Sequence, residues 1–368
     1  MRHFTALILF FVAVFPLPAS QAQEEVVLGK KRSEWLLLLK DSKEAKLRRA
    51  SLIALEVIGP KSPGVPDAFM AALDLDANAE VRREAAHALG RMGTEVKGAV
   101  ESLGQALKKD KSSLVREAAA AALGRIGEPA QTQVLILAAA LKDAHAATRT
   151  AAAEAIKNIG EKAHLALPQL IEVLKNKKEE RFPRIYAAQI MGKLPDNAGQ
   201  TVPVLSEAML DKDAPPQVRE AAIEALGRLG DAAAEAGNSL ASLLQTKEAT
   251  AAVRRAALIA LARIGATAKI AWPAADASFK STETTVRYQA IRLAGKLAKD
   301  EKLAVAALAL AAAKDETTEN RLAAIQELAQ LGTIAAAALP TLTDLASNDS
   351  RGSIREAAGD AVKKIKGK

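Results

Sequence analysis

The side chains able to do chemistry are few, and their neighbours decide what they are for. After the first 22 residues the only imidazoles are His87, His145 and His164, followed by Ala, Ala and Leu, and no HExxH helix surrounds them. The chain has no cysteine, which removes thiolate nucleophiles, Cys-ligated zinc, iron–sulfur clusters and disulfide scaffolds. Neither a phosphate-cradling glycine loop nor a nucleophile elbow occurs. Glu220 and Glu224 stand four apart, but paired acid–base carboxyls need a cleft that separates their pKa values, so they read as a surface pair. His87, between Arg83 and Arg91, reads as surface decoration rather than a general base. The sequence therefore implies a non-catalytic chain with no cofactor and no metal.

What remains is arginine, and it is periodic. Arg48, Arg82, Arg116, Arg149, Arg184, Arg219, Arg254, Arg287, Arg321 and Arg355 recur every 33 to 35 residues. Six residues before most of them stands an acid: Asp76, Asp110, Asp143, Asp213, Asp315 or Asp349, with Glu248 in the equivalent place ahead of Arg254. Such Asp residues can cap the helix that follows and pair with the arginine of their own or the next repeat, a ladder of charge-assisted hydrogen bonds. Paired in that way, the arginines offer little free field to phosphate.

These positions are set by a repeated helical sentence. VRREAAHALGRMG (81–93), VREAAAAALGRIG (115–127), VREAAIEALGRLG (218–230) and VRRAALIALARIG (253–265) are its clearest copies, and weaker ones begin at Leu47, Thr148, Pro183, Val286, Asn320 and Ile354. Gly59, Gly93, Gly127, Gly160, Gly230, Gly265 and Gly332 close seven of the ten segments as helix C-caps. Upstream of each lies a second apolar stretch, with Pro66, Pro168, Pro203, Pro273 or Pro340 where several of these begin. Each repeat is then an antiparallel pair, helix A followed by helix B, and neither can bury its apolar side alone, so stacking is obligatory.

Asp in the turn, Val-Arg opening the second helix, then Ala-Ala and Leu-Gly-x-Ile-Gly resemble HEAT repeats of the short bacterial type, the phycobilisome-lyase HEAT-like repeats of the armadillo-like class, over residues 33–368. The resemblance implies an all-α superhelix of about ten two-helix repeats and a binding scaffold. Two HEAT-like families are catalytic. Deoxyhypusine hydroxylase needs His-Glu dipeptides for its di-iron site, and this sequence has none. The phycobilin lyase reading is not removed by motif, but export would part such a protein from its usual partner. Repeat five departs most: Lys178 takes the Asp place, Pro183 the Val place and Pro195 the Gly place, so a local change of curvature is expected there. Ten repeats at helix spacings of 8–10 Å should extend on the order of 100 Å.

The chain's beginning belongs to its traffic rather than its fold. Arg2, the apolar run from Ala6 to Leu17 and small Ser20 and Ala22 read as a secretory signal peptide over 1–22, followed by a short linker over 23–32 and the solenoid over 33–368. The expected protein is thus secreted or periplasmic, without an integral membrane span after cleavage. Losing Arg2 lowers the formal charge from +8 to +7, and losing four of seven phenylalanines leaves an aliphatic, Ala-rich core.

Positions 3, 7 and 11 of each B segment fall at i, i+4 and i+8, away from the apolar stripe. Position 11 carries Arg91, Arg125, Lys193, Arg228, Arg263, Lys296 and Lys364, either a basic track or cations opposing helix dipoles. Basic and aromatic residues coincide in repeats seven and eight, where Arg255, Ile259 and Arg263 adjoin Tyr288, Arg292 and Lys296, and this is the expected ligand-binding patch. The favoured partner is another protein held by the B-helix face. The alternative is an anionic polymer, such as envelope polysaccharide, lipopolysaccharide or nucleic acid, along the same face; aromatic poverty weighs against single-stranded nucleic acid.

Overall fold

The computed structural model describes residues 24–246 and 249–367. The expected signal segment and Glu248 lie outside them. Ten A helices, α1 (Arg32–Asp41), α3 (Val65–Leu75), α5 (Ala99–Lys109), α7 (Val134–Ala140), α9 (Leu167–Lys175), α11 (Ala198–Leu210), α13 (Gly237–Gln245), α15 (Ala268–Ser278), α17 (Lys302–Lys314) and α19 (Leu339–Asn348), form one layer. Ten B helices, α2 (Ala45–Ile58), α4 (Ala79–Met92), α6 (Ser113–Ile126), α8 (Ala146–Ile159), α10 (Arg181–Met191), α12 (Pro216–Leu229), α14 (Ala251–Arg263), α16 (Thr284–Leu297), α18 (Thr318–Leu331) and α20 (Gly352–Ile365), form the other. Each B helix packs on its own A helix and on the B helices before and after it. The fold is the all-α superhelix that the repeat predicts.

The B layer packs more tightly than the A layer, as α4, α6 and α8 show beside α3, α5 and α7. A stack tighter on one side bends toward that side, so the B helices line the inside of the curve. Small residues make this possible. On α4, Val81, Ala85, Ala86, Ala88 and Leu89 are buried, and Gly90 faces the Ala122 backbone of α6. Gly124 meets Ala155, Gly192 meets Ala225 and Gly227 meets Ala260 in the same register. A glycine of one B helix thus receives the alanine seven residues into the next B segment. Packing between α8 and α10 is looser than between α6 and α8, as it also is between α2 and α4.

The segment expected as a linker is structured. Val26–Val27 pairs antiparallel with Lys30–Lys31 (β1 and β2) around Leu28-Gly29, both at positive φ (49° and 77°), as a type I′ turn requires. Trp35 Nε1 donates to the Val27 carbonyl at 2.9 Å, and the hairpin seals the first helix pair. Pro66, Pro168 and Pro340 stand at helix starts as expected, whereas Pro203 and Pro273 lie inside α11 and α15. Residues preceding those two prolines add an extra turn to each helix, where the A helices of repeats five and ten are preceded only by 3₁₀ turns. Thr318–Asn348 is long and apolar enough in composition to cross a membrane, but Gly332 at φ +56° divides it into α18, a 3₁₀ turn and α19.

The arginine–acid ladder exists, with its rungs between repeats. Arg48 donates from Nε and Nη2 to both oxygens of Asp76 at 2.6 and 2.8 Å, Arg82 likewise to Asp110 at 2.7 and 2.8 Å, and Arg116 to Asp143 at 2.7 and 2.9 Å. Each Asp therefore holds the arginine of the preceding repeat, rather than that of its own or the next. Its own arginine instead donates to its backbone carbonyl, as Arg82 does to Asp76 at 2.8 Å. Nor does the Asp cap helix B. It ends helix A, and its Oδ1 accepts the amide two residues on, such as Asn78, which is itself the cap of α4. Arg287–Asp315 and Arg321–Asp349 continue the pattern.

Three expected rungs are corrected. Asp213 is exposed and takes no arginine; the longer turn of repeat six brings Asp211 toward Arg184, at 3.9 Å, instead. In repeat five the acid is Glu179, next to Lys178, and it accepts from Arg149 at 2.8 and 2.9 Å. Repeat eight has Ser281 in the Asp place, so Arg254 turns to the carbonyls of Leu244, Thr246 and Ala249. Arg219 donates to the Met209 carbonyl at 3.0 Å, and Arg355, in the last repeat, reaches only the carbonyls of Asp349 and Ser350.

Candidate interaction surface

The B helices present a continuous inner face, and positions 3, 7 and 11 point out of it. On α14, Arg255 and Arg263 are exposed and Ile259 is half-buried; on the adjacent α16, Tyr288 (37% exposed), Arg292 and Lys296 are exposed. The six residues read from the sequence thus lie together on neighbouring helices. Lys296 Nζ donates to the Ala262 carbonyl of α14 at 3.0 Å, tying the two helices at the patch.

One member is already occupied. Arg292 forms an ion pair with Glu327 of α18, whose side chain is only 8% exposed. In the other copies this position is an alanine, leucine or isoleucine. Here the glutamate lies over Gly295, where a Cβ would overlap its carboxylate. Burial raises the Glu327 pKa, opposed by the charges of Arg292 and Lys296. A charge at a position otherwise apolar, one helix beyond a glycine, was the sequence signal for this acid.

Because the folded pKa of Glu327 lies above its unfolded value, ionisation costs stability at neutral pH and the cost fades as pH falls. Glu327→Gln is therefore expected to melt higher than the parent at pH 7, with the gap closing as the pH drops into the carboxylate range; thermal melts at pH 7 and pH 4 check this.

The wider basic row is neutralised in part. Arg91 pairs with Glu56 of α2 and with Glu84, Arg83 with Glu80 at 2.6 Å and Arg228 with Glu224 at 3.3 Å. Among the described residues, Arg125, Arg255 and Arg263 have no acid within ion-pair distance. His87 is half-buried, and burial lowers its pKa, so it stays neutral amid these cations. No group of three or more His, Asp or Glu able to hold a metal occurs among the described residues.

A second cluster was not anticipated. Phe182 and Tyr186 on α10 stack at 6.4 Å with 27° between planes, Arg181 lies 4.7 Å from the Phe182 ring centre and Lys157 of α8 lies 4.3 Å from that of Tyr186. Phe182 is 45% exposed. Its signal was an i, i+4 aromatic pair in the copy that departs most from the repeat. Rings on the A helices behave differently: Trp35, Phe69 and Trp272 are buried in the core.

Grooves between repeats open at the ends of the A helices, one of them lined by Leu107, Leu135, Ile136, Ala139 and flanking Lys108 and Lys142. Another lies between the C-terminal ends of α14 and α16, where Lys296 of the patch shares the lining with Leu261, Leu293 and Asp300. The grooves at the A-helix ends are open spaces beside ladder rungs.

Known proteins place the architecture. No curated protein matches the chain. Solved structures similar to it include Kap95p with RanGDP (14% identity, TM-score 0.65, 91% of this chain and 49% of that one) and importin beta (16%, 0.58, 91% and 52%). Kap121p bound to Nup53p is a third (14%, TM-score 0.52, 91% and 45%). This chain spans about half the length of those chains, and at such identities the likeness is one of fold. HEAT repeats match residues 66–157, 100–182, 167–262 and 273–363, and with its ten stacked helix pairs the chain belongs to the HEAT-repeat family.

Proposed function

We propose that the protein is an exported, non-catalytic scaffold that holds a protein partner on its B-helix face, centred on repeats seven and eight. The observation that carries this is the meeting of exposed Tyr288, half-buried Ile259 and uncommitted Arg255 and Arg263 on two adjacent helices of the inner face. Tyrosine and arginine are the residue types that anchor protein interfaces, because each joins a large contact area to directed hydrogen bonding. Kap95p with RanGDP and Kap121p with Nup53p are protein complexes built on the same architecture. Export rests on Arg2, the apolar run and Ala22 at the chain's start.

A polyanion track is the weaker reading, since Glu56, Glu80, Glu84, Glu224 and Glu327 pair with Arg91, Arg83, Arg228 and Arg292 and so interrupt the basic face. The test is cross-linking capture with residues 23–368 from envelope and medium fractions at two salt concentrations. Beside it runs a variant with Arg255, Arg263, Arg292 and Lys296 changed to Glu. One dominant protein, cross-linked on α14 or α16 and lost at least tenfold in the variant, is expected. Salt-sensitive retention of polymer, with no protein, would overturn the scaffold reading in favour of a polyanion binder.

A further inference from the structure

We propose that repeats five to eight take one acidic segment of the partner, with an apolar side chain seated on Phe182 and Tyr186 and carboxylates at Arg255 and Arg263. This rests on the B face being the protein-binding face, and adds to it a second anchor and the chemistry of what is bound. In an aromatic-poor chain, Phe182, Tyr186 and Tyr288 reach the surface from B helices, while Trp35, Phe69 and Trp272 of the A layer are buried. An exposed phenylalanine flanked by a stacked tyrosine and two cations serves no packing purpose that the other repeats share. Rings and arginines together make the usual anchors of a bound chain.

Charge complementarity selects the occupant. Among the described residues, Arg181, Lys157, Arg255 and Arg263 have no acid within ion-pair distance, and two of them already lie against rings. Arg228 and Arg292 are filled by Glu224 and Glu327. Glu154 and Glu220 are the acids left on the face, and they confine the carboxylates of a ligand to the flanking cations.

Length sets the size of the segment. From α10, which carries Phe182 and Tyr186, to α14, which carries Arg255 and Arg263, are two helix spacings, about 16–20 Å at 8–10 Å each. An extended chain covers that in about five or six residues at ~3.3 Å per residue, so a peptide of twelve residues reaches both anchors.

The probes are fluorescein-labelled twelve-residue peptides rich in Asp and Glu, with one Phe near either end, and their Phe→Ser and all-Lys counterparts. Dextran sulfate is the polymer control. Binding to residues 23–368 is read by anisotropy. The acidic peptide with Phe is expected to bind, and Phe182→Ser and the pair Arg255→Glu with Arg263→Glu should each weaken it at least tenfold. Phe182→Leu should largely retain it, and circular dichroism confirms that each variant is folded. Equal binding of the Phe-less peptide, indifference to Phe182→Ser, binding of dextran sulfate alone or no peptide binding would each overturn the proposal. If peptides fail while the captured protein is still lost in the quadruple charge variant, the acidic-segment inference falls and the scaffold reading stands.

Discussion

Replacing Arg287 by Ala should cost about 3–5 kcal/mol, because it leaves Asp315 a buried carboxylate without its cation. The Asp315 side chain is 5% exposed and accepts from Arg287 Nε and Nη2 at 2.9 and 3.2 Å. Arg355→Ala removes the equivalent residue of the last repeat, which is exposed and holds no acid, so its cost should stay within about 1 kcal/mol. Since repeats open locally, amide exchange of α16 to α18 reports the difference better than a global melt. The pH dependence follows from the same rung. Burial pushes the Asp315 carboxyl up, but the Arg287 guanidinium, the Thr317 amide and Asn320 pull it down to about 2, below its ordinary 3.8. A depressed folded pKa means that the stabilisation is complete above 3.8 and is lost as pH falls through about 2. Without Arg287 the burial that raises the Asp315 carboxyl is less opposed, so the gap between parent and Arg287→Ala should be full at pH 7, begin to shrink as the variant takes up its proton at a higher pH than the parent, and close by about pH 2.

Gly192→Ala should destabilise by about 1–3 kcal/mol although alanine is the better helix former. A Cβ there would stand 2.6 Å from the Ala225 Cα, and Gly124 stands in the same relation to Ala155 at 2.8 Å. A helix backbone cannot yield as a flexible side chain can, so the B helices must separate and the layer must lose contact. Gly359, inside α20, is the opposite case: nothing lies within 4 Å of its added Cβ. Gly359→Ala should therefore stabilise by about 0.5–1 kcal/mol through helix propensity alone. Denaturant titrations of the two variants check the opposed signs, and equal signs would contradict the packing account.

How much of this the sequence revealed depended on whether a feature obeyed the repeat. The helix pairs, the closing glycines and the inner row of positions 3, 7 and 11 follow from periodicity, and the structure places them as the period requires. Ladder direction did not follow, because a residue six before an arginine in sequence is equally near the arginine of the previous repeat in space. Asp213 misled because repeat six carries two extra turn residues, which move the accepting position to Asp211. Glu179 was hidden beside Lys178 for a similar reason. Among the patch residues, exposure was legible for Arg255, Arg263, Tyr288, Arg292 and Lys296, but the ion pair from Glu327 was not, since it comes from the next helix at a position that is otherwise apolar. The hairpin over 26–31 was missed because Leu28 is an unusual residue for a left-handed turn position.

Binding of a protein on the B face predicts where amides become protected. Hydrogen exchange on residues 23–368, free and with the captured partner, tests it most directly. New protection confined to α10, α12, α14 and α16, abolished when Arg255, Arg263, Arg292 and Lys296 are changed to Glu, is the predicted result. Protection on the A helices or along the ladder edge, with those four helices unchanged, would contradict it.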